Sequence, residues 1–123
     1  MNFEAIQHIP MSQQAHGIDP NHVVFRLRAG RDDLKHCTLF YADRACRLTP
    51  VIFSSVEMQV EAQDEWFDYF QVILESPYKR ICYYFELDDG MQKLLYYGDF
   101  FTDHRVDDRS EYYQLPFNHP ADI

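Results

Sequence analysis

Glycine is scarce in this chain, with four residues in 123, where about 7% is ordinary. Four isolated glycines cannot build a phosphate-cradling loop, and no G-x-S-x-G occurs, so nucleotide-binding and serine-hydrolase signatures are both missing. Cysteine is limited to Cys37, Cys46 and Cys82. The number is odd and no C-x-x-C occurs, which speaks against a zinc ribbon or thioredoxin-like motif. The three thiols read as reduced side chains of a cytoplasmic protein rather than as a disulfide framework. Basic charge is short as well: 11 Lys and Arg face 20 Asp and Glu, a formal net charge of −9. The basic groupings are Arg26-Leu27-Arg28 with Arg31, and Lys79-Arg80. Nucleic acid and anionic membrane surfaces are therefore disfavoured as partners, because such binding rests on neutralising phosphates. Apolar runs last only a few residues, too few for a membrane-spanning helix. Residues 1–30 lack the basic start and long apolar run of a signal peptide.

Catalytic and metal-binding patterns are missing too. His8, His16, His22, His36, His104 and His119 show no H-E-x-x-H or H-x-H spacing. Asp103-His104 with Asp107 and Asp108 is the densest donor group, but it has no calcium-loop spacing and reads as a solvated connection. Asp64, Glu65 and Asp68 resemble the acid pair of a glycosidase in residue type only. Such carboxylates must flank a cleft, whereas sequence neighbours near a turn more often solvate it. Nothing places a histidine beside a cysteine nucleophile, and Cys82 lies in a strand pattern and reads as packing. No catalytic residue, metal or cofactor is assigned to this chain.

What the chain does have is period-two patterning. Val23, Phe25 and Leu27 alternate with Val24, Arg26 and Arg28, the pattern of a half-buried strand. Ile81, Tyr83, Phe85 and Leu87 alternate with Cys82, Tyr84 and Glu86. Phe70, Val72 and Leu74 share one face, with Tyr69, Gln71 and Ile73 opposite. Val56, Met58, Val60 and Ala62 share another. Asp88-Asp89-Gly90, between Tyr83–Leu87 and Met91–Tyr97, predicts a β-hairpin with a tight turn. Pro10, Gly17–Asn21, Gly30–Asp33, Asp43–Pro50, Gln63–Glu65, Ser76-Pro77, Gly98-Asp99 and Val106–Ser110 read as connections. Strands are predicted over 2–8, 22–29, 35–42, 52–61, 66–75, 80–88, 91–97, 99–104 and 111–115. Eight or nine short strands at this spacing predict an all-β sandwich.

Aromatic residues are in excess, at 16%, with ten Phe, nine Tyr and one Trp. Alternation sends roughly half of them to a core. The remainder point outward, where an amphipathic ring can stack on a sugar or anchor a protein partner. By residue type, Trp66 with Tyr69 is the candidate platform, for carbohydrate or for an interface.

The second half of the chain carries an ordered series: Trp66-Phe67-Asp68-Tyr69-Phe70, Pro77-Tyr78-Lys79-Arg80, Tyr83-Tyr84-Phe85-Glu86-Leu87 with Asp89-Gly90, Tyr96-Tyr97, and Tyr112-Tyr113-Gln114-Leu115-Pro116-Phe117. It is preceded by Glu4-Ala5-Ile6-Gln7-His8, Val23-Val24-Phe25-Arg26-Leu27-Arg28 and Asp32-Asp33-Leu34. The series resembles the N-terminal domain of the cyclomaltodextrinase, neopullulanase and maltogenic amylase group. That domain is carbohydrate-binding module family 34, and it precedes the catalytic barrel in glycoside hydrolase family 13. The sequence departs from many relatives in having Phe53 and no tryptophan between Tyr41 and Val60.

The resemblance implies an immunoglobulin-like β-sandwich of about seven to nine antiparallel strands over residues 1–117. Residues 118–123 then open a linker to a catalytic barrel. It implies a parent α-glucan hydrolase acting on cyclodextrins, pullulan or malto-oligosaccharides. There, two aspartates and a glutamate of the barrel do the chemistry, so this chain alone is expected to be inactive. The implied partners are the barrel of its own subunit and that of a second subunit. The domain would contribute to dimerisation and to the shape of the substrate cleft. Some relatives bind starch chains on this domain, so an α-glucan is a further implied partner. The alternatives are a free-standing starch- or glycogen-binding module and a purely structural interaction domain.

Overall fold

The structure, a computed structural model, describes residues 1–8, 15–19, 22–43, 53–75, 81–97, 101–103 and 113–115. Among these residues, a 3-10 turn at Phe3–Ala5 precedes ten strands. These are β1 (Ala15–Asp19), β2 (His22–Gly30), β3 (His36–Asp43), β4 (Ser54–Glu57), β5 (Gln59–Gln63), β6 (Phe67–Glu75), β7 (Ile81–Asp88), β8 (Lys93–Tyr96), β9 (Phe101–Thr102) and β10 (Tyr113–Leu115). They form two antiparallel sheets. One has the order β1-β2-β6-β5. The other has the order β4-β3-β7-β8-β9, with β10 paired to the start of β7. This is the expected all-β, immunoglobulin-like sandwich.

Register explains the core. β2 and β6 pair along their full length, so Val23 faces Leu74, Phe25 faces Val72 and Leu27 faces Phe70. In the other sheet Cys37 faces Leu87, Leu39 faces Phe85 and Tyr41 faces Tyr83. Because side chains alternate, these two inner rows meet in one cluster. Phe25 and Tyr83 meet edge to face across the sheets at 4.7 Å, a favoured aromatic geometry.

Four expectations need correction. The strand predicted over 52–61 is two strands in different sheets. The chain changes sheets at Met58, which is 2% exposed; its N–H donates to the Cys37 carbonyl at 2.8 Å. A register shift between Val60 and Ala62 then places Val60 opposite Phe70 and Ala62 opposite Tyr69. The predicted shared face of Val56, Met58, Val60 and Ala62 therefore does not form, and Val60 is 43% exposed. Residues 2–8 are not a strand but a short turn and a single bridge from Gln7 to Arg28. Ala15–Asp19 is a strand although Gly17–Asn21 reads as a connection. It pairs through its backbone with β2 and carries a bulge at Ile18.

The fourth correction concerns β7, which is buried on both faces from Ile81 to Phe85. Its outward row joins a second apolar cluster on the far side of its sheet, made of Ala42, Cys82, Tyr84 and Tyr97 with Phe40, Phe53 and Leu95. Tyr84 stacks on Phe40 at 5.0 Å and on Tyr97 at 4.8 Å. Part of the aromatic excess is thus internal. Cys82 packs there as expected, its Sγ donating to the Ala42 carbonyl at 3.8 Å.

The predicted hairpin joins β7 to β8, but Asp88 pairs with Lys93, so four residues connect the strands instead of two. Asp89 Oδ1 accepts the Met91 and Gln92 amides at 2.9 and 2.8 Å. These bonds, with the Met1 amine 3.1 Å from Asp89 Oδ2, hold the Asp89 carboxyl down at about 2. Gly90 has φ +91, and a Cβ there would meet Lys35 Cε at 2.5 Å. The lysine end can swing away, so the positive φ sets the cost. Gly90→Ala is expected to lower stability by about 1 kcal/mol, read as a reduced urea midpoint at unchanged slope.

Candidate functional site

The hairpin between β5 and β6 carries both candidate residues. Gln63 and Asp68 form its last pair, leaving residues 64–67 as the connection. Asp64 organises it. Its N–H donates to the Phe67 carbonyl at 3.0 Å. Its Oδ1 accepts the Trp66 and Phe67 amides at 2.9 and 2.7 Å, an Asx-type closure. Its Oδ2 accepts the Tyr69 hydroxyl at 2.7 Å. The Tyr69 bond, followed by the amide bonds, lowers the Asp64 pKa, and the same carboxylate raises that of the Tyr69 phenol.

Trp66 stands at the tip, 70% exposed. Tyr69 lies half-buried on the outer face of its sheet, opposite Arg28. The Arg28 guanidinium sits 4.2 Å above the Phe67 ring, a cation–π contact, and its Nε donates to the Ala5 carbonyl at 3.0 Å. Arg31 closes the other side, its backbone N–H donating to the Trp66 carbonyl and its guanidinium to the Asp64 carbonyl, both at 3.0 Å. The structure thus places Trp66 and Tyr69 on one hairpin and links both to Asp64. Asp64, Arg31, Arg28 and Phe67 support the two rings, a role that the sequence did not assign to any of them. Only the Asp64-x-Trp66-Phe67 turn chemistry was a readable signal for them.

Asp64 and Asp68 do not form an acid pair. Asp68 points inward at 3% exposure, where its Oδ2 accepts the Asp32 amide at 2.9 Å and its Oδ1 accepts the Gln63 side-chain amide at 2.7 Å. Glu65 is exposed. The Cys37 thiol is buried and burial pushes its pKa up, the opposite of what a nucleophile needs. His22 and His36 make surface contacts with Glu75 and Glu57 at 3.8 and 2.7 Å. Among the described residues no group of three His, Cys, Asp or Glu is placed to hold a metal ion, and no helix is long and apolar enough to cross a membrane. The Asp103/His104/Asp107/Asp108 group, Cys46, the Pro77–Arg80 motif and the predicted linker 118–123 fall wholly or largely outside the described residues.

The family model described as the alpha amylase N-terminal ig-like domain matches residues 1–119. A maltogenic alpha-amylase of Bacillus acidopullulyticus is 30% identical over 98% of this chain and 21% of its own length. A cyclomaltodextrinase of Geobacillus thermopakistaniensis is 30% identical over 100% of this chain and 21% of its own. Neopullulanase 2 of Thermoactinomyces vulgaris is 32% identical over 80% of this chain. Among solved structures, a cyclomaltodextrinase superposes with a TM-score of 0.89 at 26% identity, over 100% of this chain and 21% of that one. This chain therefore spans about a fifth of the length of the relatives it matches.

Proposed function

This chain belongs to the alpha amylase N-terminal ig-like domain family, and from that premise we propose that it is the non-catalytic N-terminal domain of an α-glucan hydrolase. Residues 1–117 form the domain, and 118–123 begin a linker to a catalytic barrel that hydrolyses cyclodextrins, pullulan or malto-oligosaccharides. The domain packs against a barrel of its own or a second subunit, contributing to dimerisation and to the shape of the cleft. It needs no cofactor of its own. Cys37 and Cys82 are buried and form no disulfide, which supports a reducing, cytoplasmic setting.

The observation that carries this reading is Trp66, a large ring 70% exposed at the end of a hairpin that Asp64 and Arg31 hold in place. Ordered, exposed tryptophans are the residues that anchor interfaces. In the full-length enzyme, Trp66→Ala is expected to shift the sedimentation profile from dimer toward monomer. It is also expected to lower kcat/KM on β-cyclodextrin relative to soluble starch by about tenfold, equivalent to about 1.4 kcal/mol. An unchanged dimer with an unchanged substrate ratio would overturn the reading. Trp66 beside Tyr69 also supports the second reading, a starch- or glycogen-binding module. Binding heat on titrating the isolated chain with maltoheptaose would favour it, and no heat at millimolar ligand would remove it.

A further inference from the structure

We infer that His8 is a pH-operated latch, whose protonation releases residues 1–8 from the sandwich while the two sheets remain folded.

Residues 1–8 lie as a strap beside the second half of β2. Gln7 and Arg28 exchange two backbone hydrogen bonds, at 2.9 and 3.0 Å. Phe3 packs edge-on against Phe101 at 4.7 Å. At the far end the Met1 amine lies 3.1 Å from Asp89 and 3.7 Å from Asp33, and the Asn2 amide donates to Asp33 at 2.7 Å. Ala5 and Ile6 are the strap's buried apolar residues, and His8 is the polar side chain it sends inside, at 4% exposure.

Among the described residues, β2 and β7 pack on the imidazole and enclose it away from water, which favours its neutral form. From β2, the Arg26 carbonyl lies 2.6 Å from Nδ1. A carbonyl can only accept, so Nδ1 carries the proton and Nε2 is left as an acceptor. From β7, the Tyr83 hydroxyl lies 2.8 Å from Nε2 and donates to it. The rings of Tyr83 and Phe85 stand edge-on at 5.4 and 4.8 Å. Of the charged groups on β2, Arg26 Nε donates to Gln71, Arg28 Nε donates to Ala5 and His22 contacts Glu75; on β7, Asp88 accepts the Gly90 amide and Glu86 stands on the outer row, opposite Thr38 and Leu95. Asp33 and Asp89 hold the terminal amine. A second proton on Nε2 would reverse the Tyr83 hydrogen bond and put a full charge in the core. Burial accordingly holds His8 down at about 4, against the ordinary 6.5, with the Arg26 carbonyl pulling the other way.

The sign follows from linkage. Released, His8 takes up a proton near its ordinary value; docked, it does not until about pH 4. Docking is fully favoured above pH 6.5, weakens as the pH falls from there to 4, and changes no further below that. The whole window is worth about 300-fold in the docking equilibrium. The strap yields first because β2 stays paired to β6 along its full length, and short, weakly tied segments open below the global free energy.

The test is amide hydrogen exchange of the 123-residue chain, read as protection factors between pH 7 and 4. Between pH 7 and 4 the Gln7 and Arg28 amides are expected to lose about 100-fold, while those of Val72 and Phe85 hold, and the His8 ring resonance is expected to titrate near pH 4. His8→Gln is expected to make strap protection independent of pH. Strap and sheet losing protection together, strap protection persisting unchanged to pH 4, or a His8→Gln strap that still opens with acid would each overturn the latch. Should that variant not fold, the wild-type exchange profile and ring titration decide.

Discussion

Phe25→Ala is expected to cost about 4 kcal/mol, a shift of about a thousandfold in the unfolding equilibrium. Phe25 is fully buried, faces Val72 on β6 and Ala15 on β1, and reaches Tyr83 of the opposite sheet at 4.7 Å. Its ring therefore fills the contact between the sheets. Truncation removes the transfer free energy of a benzyl group and leaves a void that neighbours in two paired sheets cannot close. Phe25→Leu retains most of the volume and is expected to lose about 1.5 kcal/mol. Guanidinium unfolding of the chain with both variants checks the pair. A loss below about 2 kcal/mol for Phe25→Ala would mean that the sheets are not closed over this ring.

The strands that cross the middle of each sheet were legible because each has an inner and an outer row. The predicted 22–29, 35–42, 66–75 and 80–88 lie within a residue or two of His22–Gly30, His36–Asp43, Phe67–Glu75 and Ile81–Asp88. Alternation says nothing about which sheet a strand joins, so the change of sheet at Met58 was hidden inside one continuous pattern. β1 was hidden for a different reason. Ala15-His16-Gly17-Ile18-Asp19 has no alternation, and its place comes from backbone pairing to an edge of β2. Nor could alternation foresee that the outer row of β7 would be covered. Tyr84 and Cys82 sit where a strand with one wet face would show polar groups, and among the described residues the Phe40, Phe53 and Tyr97 rings pack around them.

The candidate site was legible in kind and not in construction. Trp66 is the large exposed ring that its residue type implied, and Tyr69 shares its hairpin. Yet Tyr69 is tied to Asp64 rather than offered freely beside Trp66. Asp64, Glu65 and Asp68 look alike in sequence, but the pleat separates their roles. Asp64 closes the turn from outside, and Asp68 falls on the inner row with Phe70 and Leu74. A buried carboxylate in such a row survives only with donors to meet it, and those donors come from residues 36 positions and five positions away. Spacing cannot reveal that.

Asp68→Ala tests that construction, with an expected loss of about 2–3 kcal/mol. The carboxylate accepts from the Asp32 backbone and from Gln63, so alanine leaves two donors facing an apolar methyl. The Asp32 bond matters most. Asp32 has φ 58 and is the one non-glycine residue with positive φ among those described, a conformation that needs surrounding structure to sustain it. The same loop is fastened to the Trp66 hairpin through the Arg31 amide, so losing the Asp68 anchor loosens both. Asp68→Asn has the same shape, keeps an oxygen for the Asp32 amide, and needs only a flip of the Gln63 amide to restore the second bond. Its expected cost is about 1 kcal/mol. Because Trp66 is the single tryptophan, its fluorescence reports this corner directly. The alanine variant is expected to show a changed native emission together with the lower unfolding midpoint, and the asparagine variant the native emission of the wild type. An alanine variant within about 0.5 kcal/mol of wild type, with unaltered emission, would show that the buried carboxylate does not hold the two loops together.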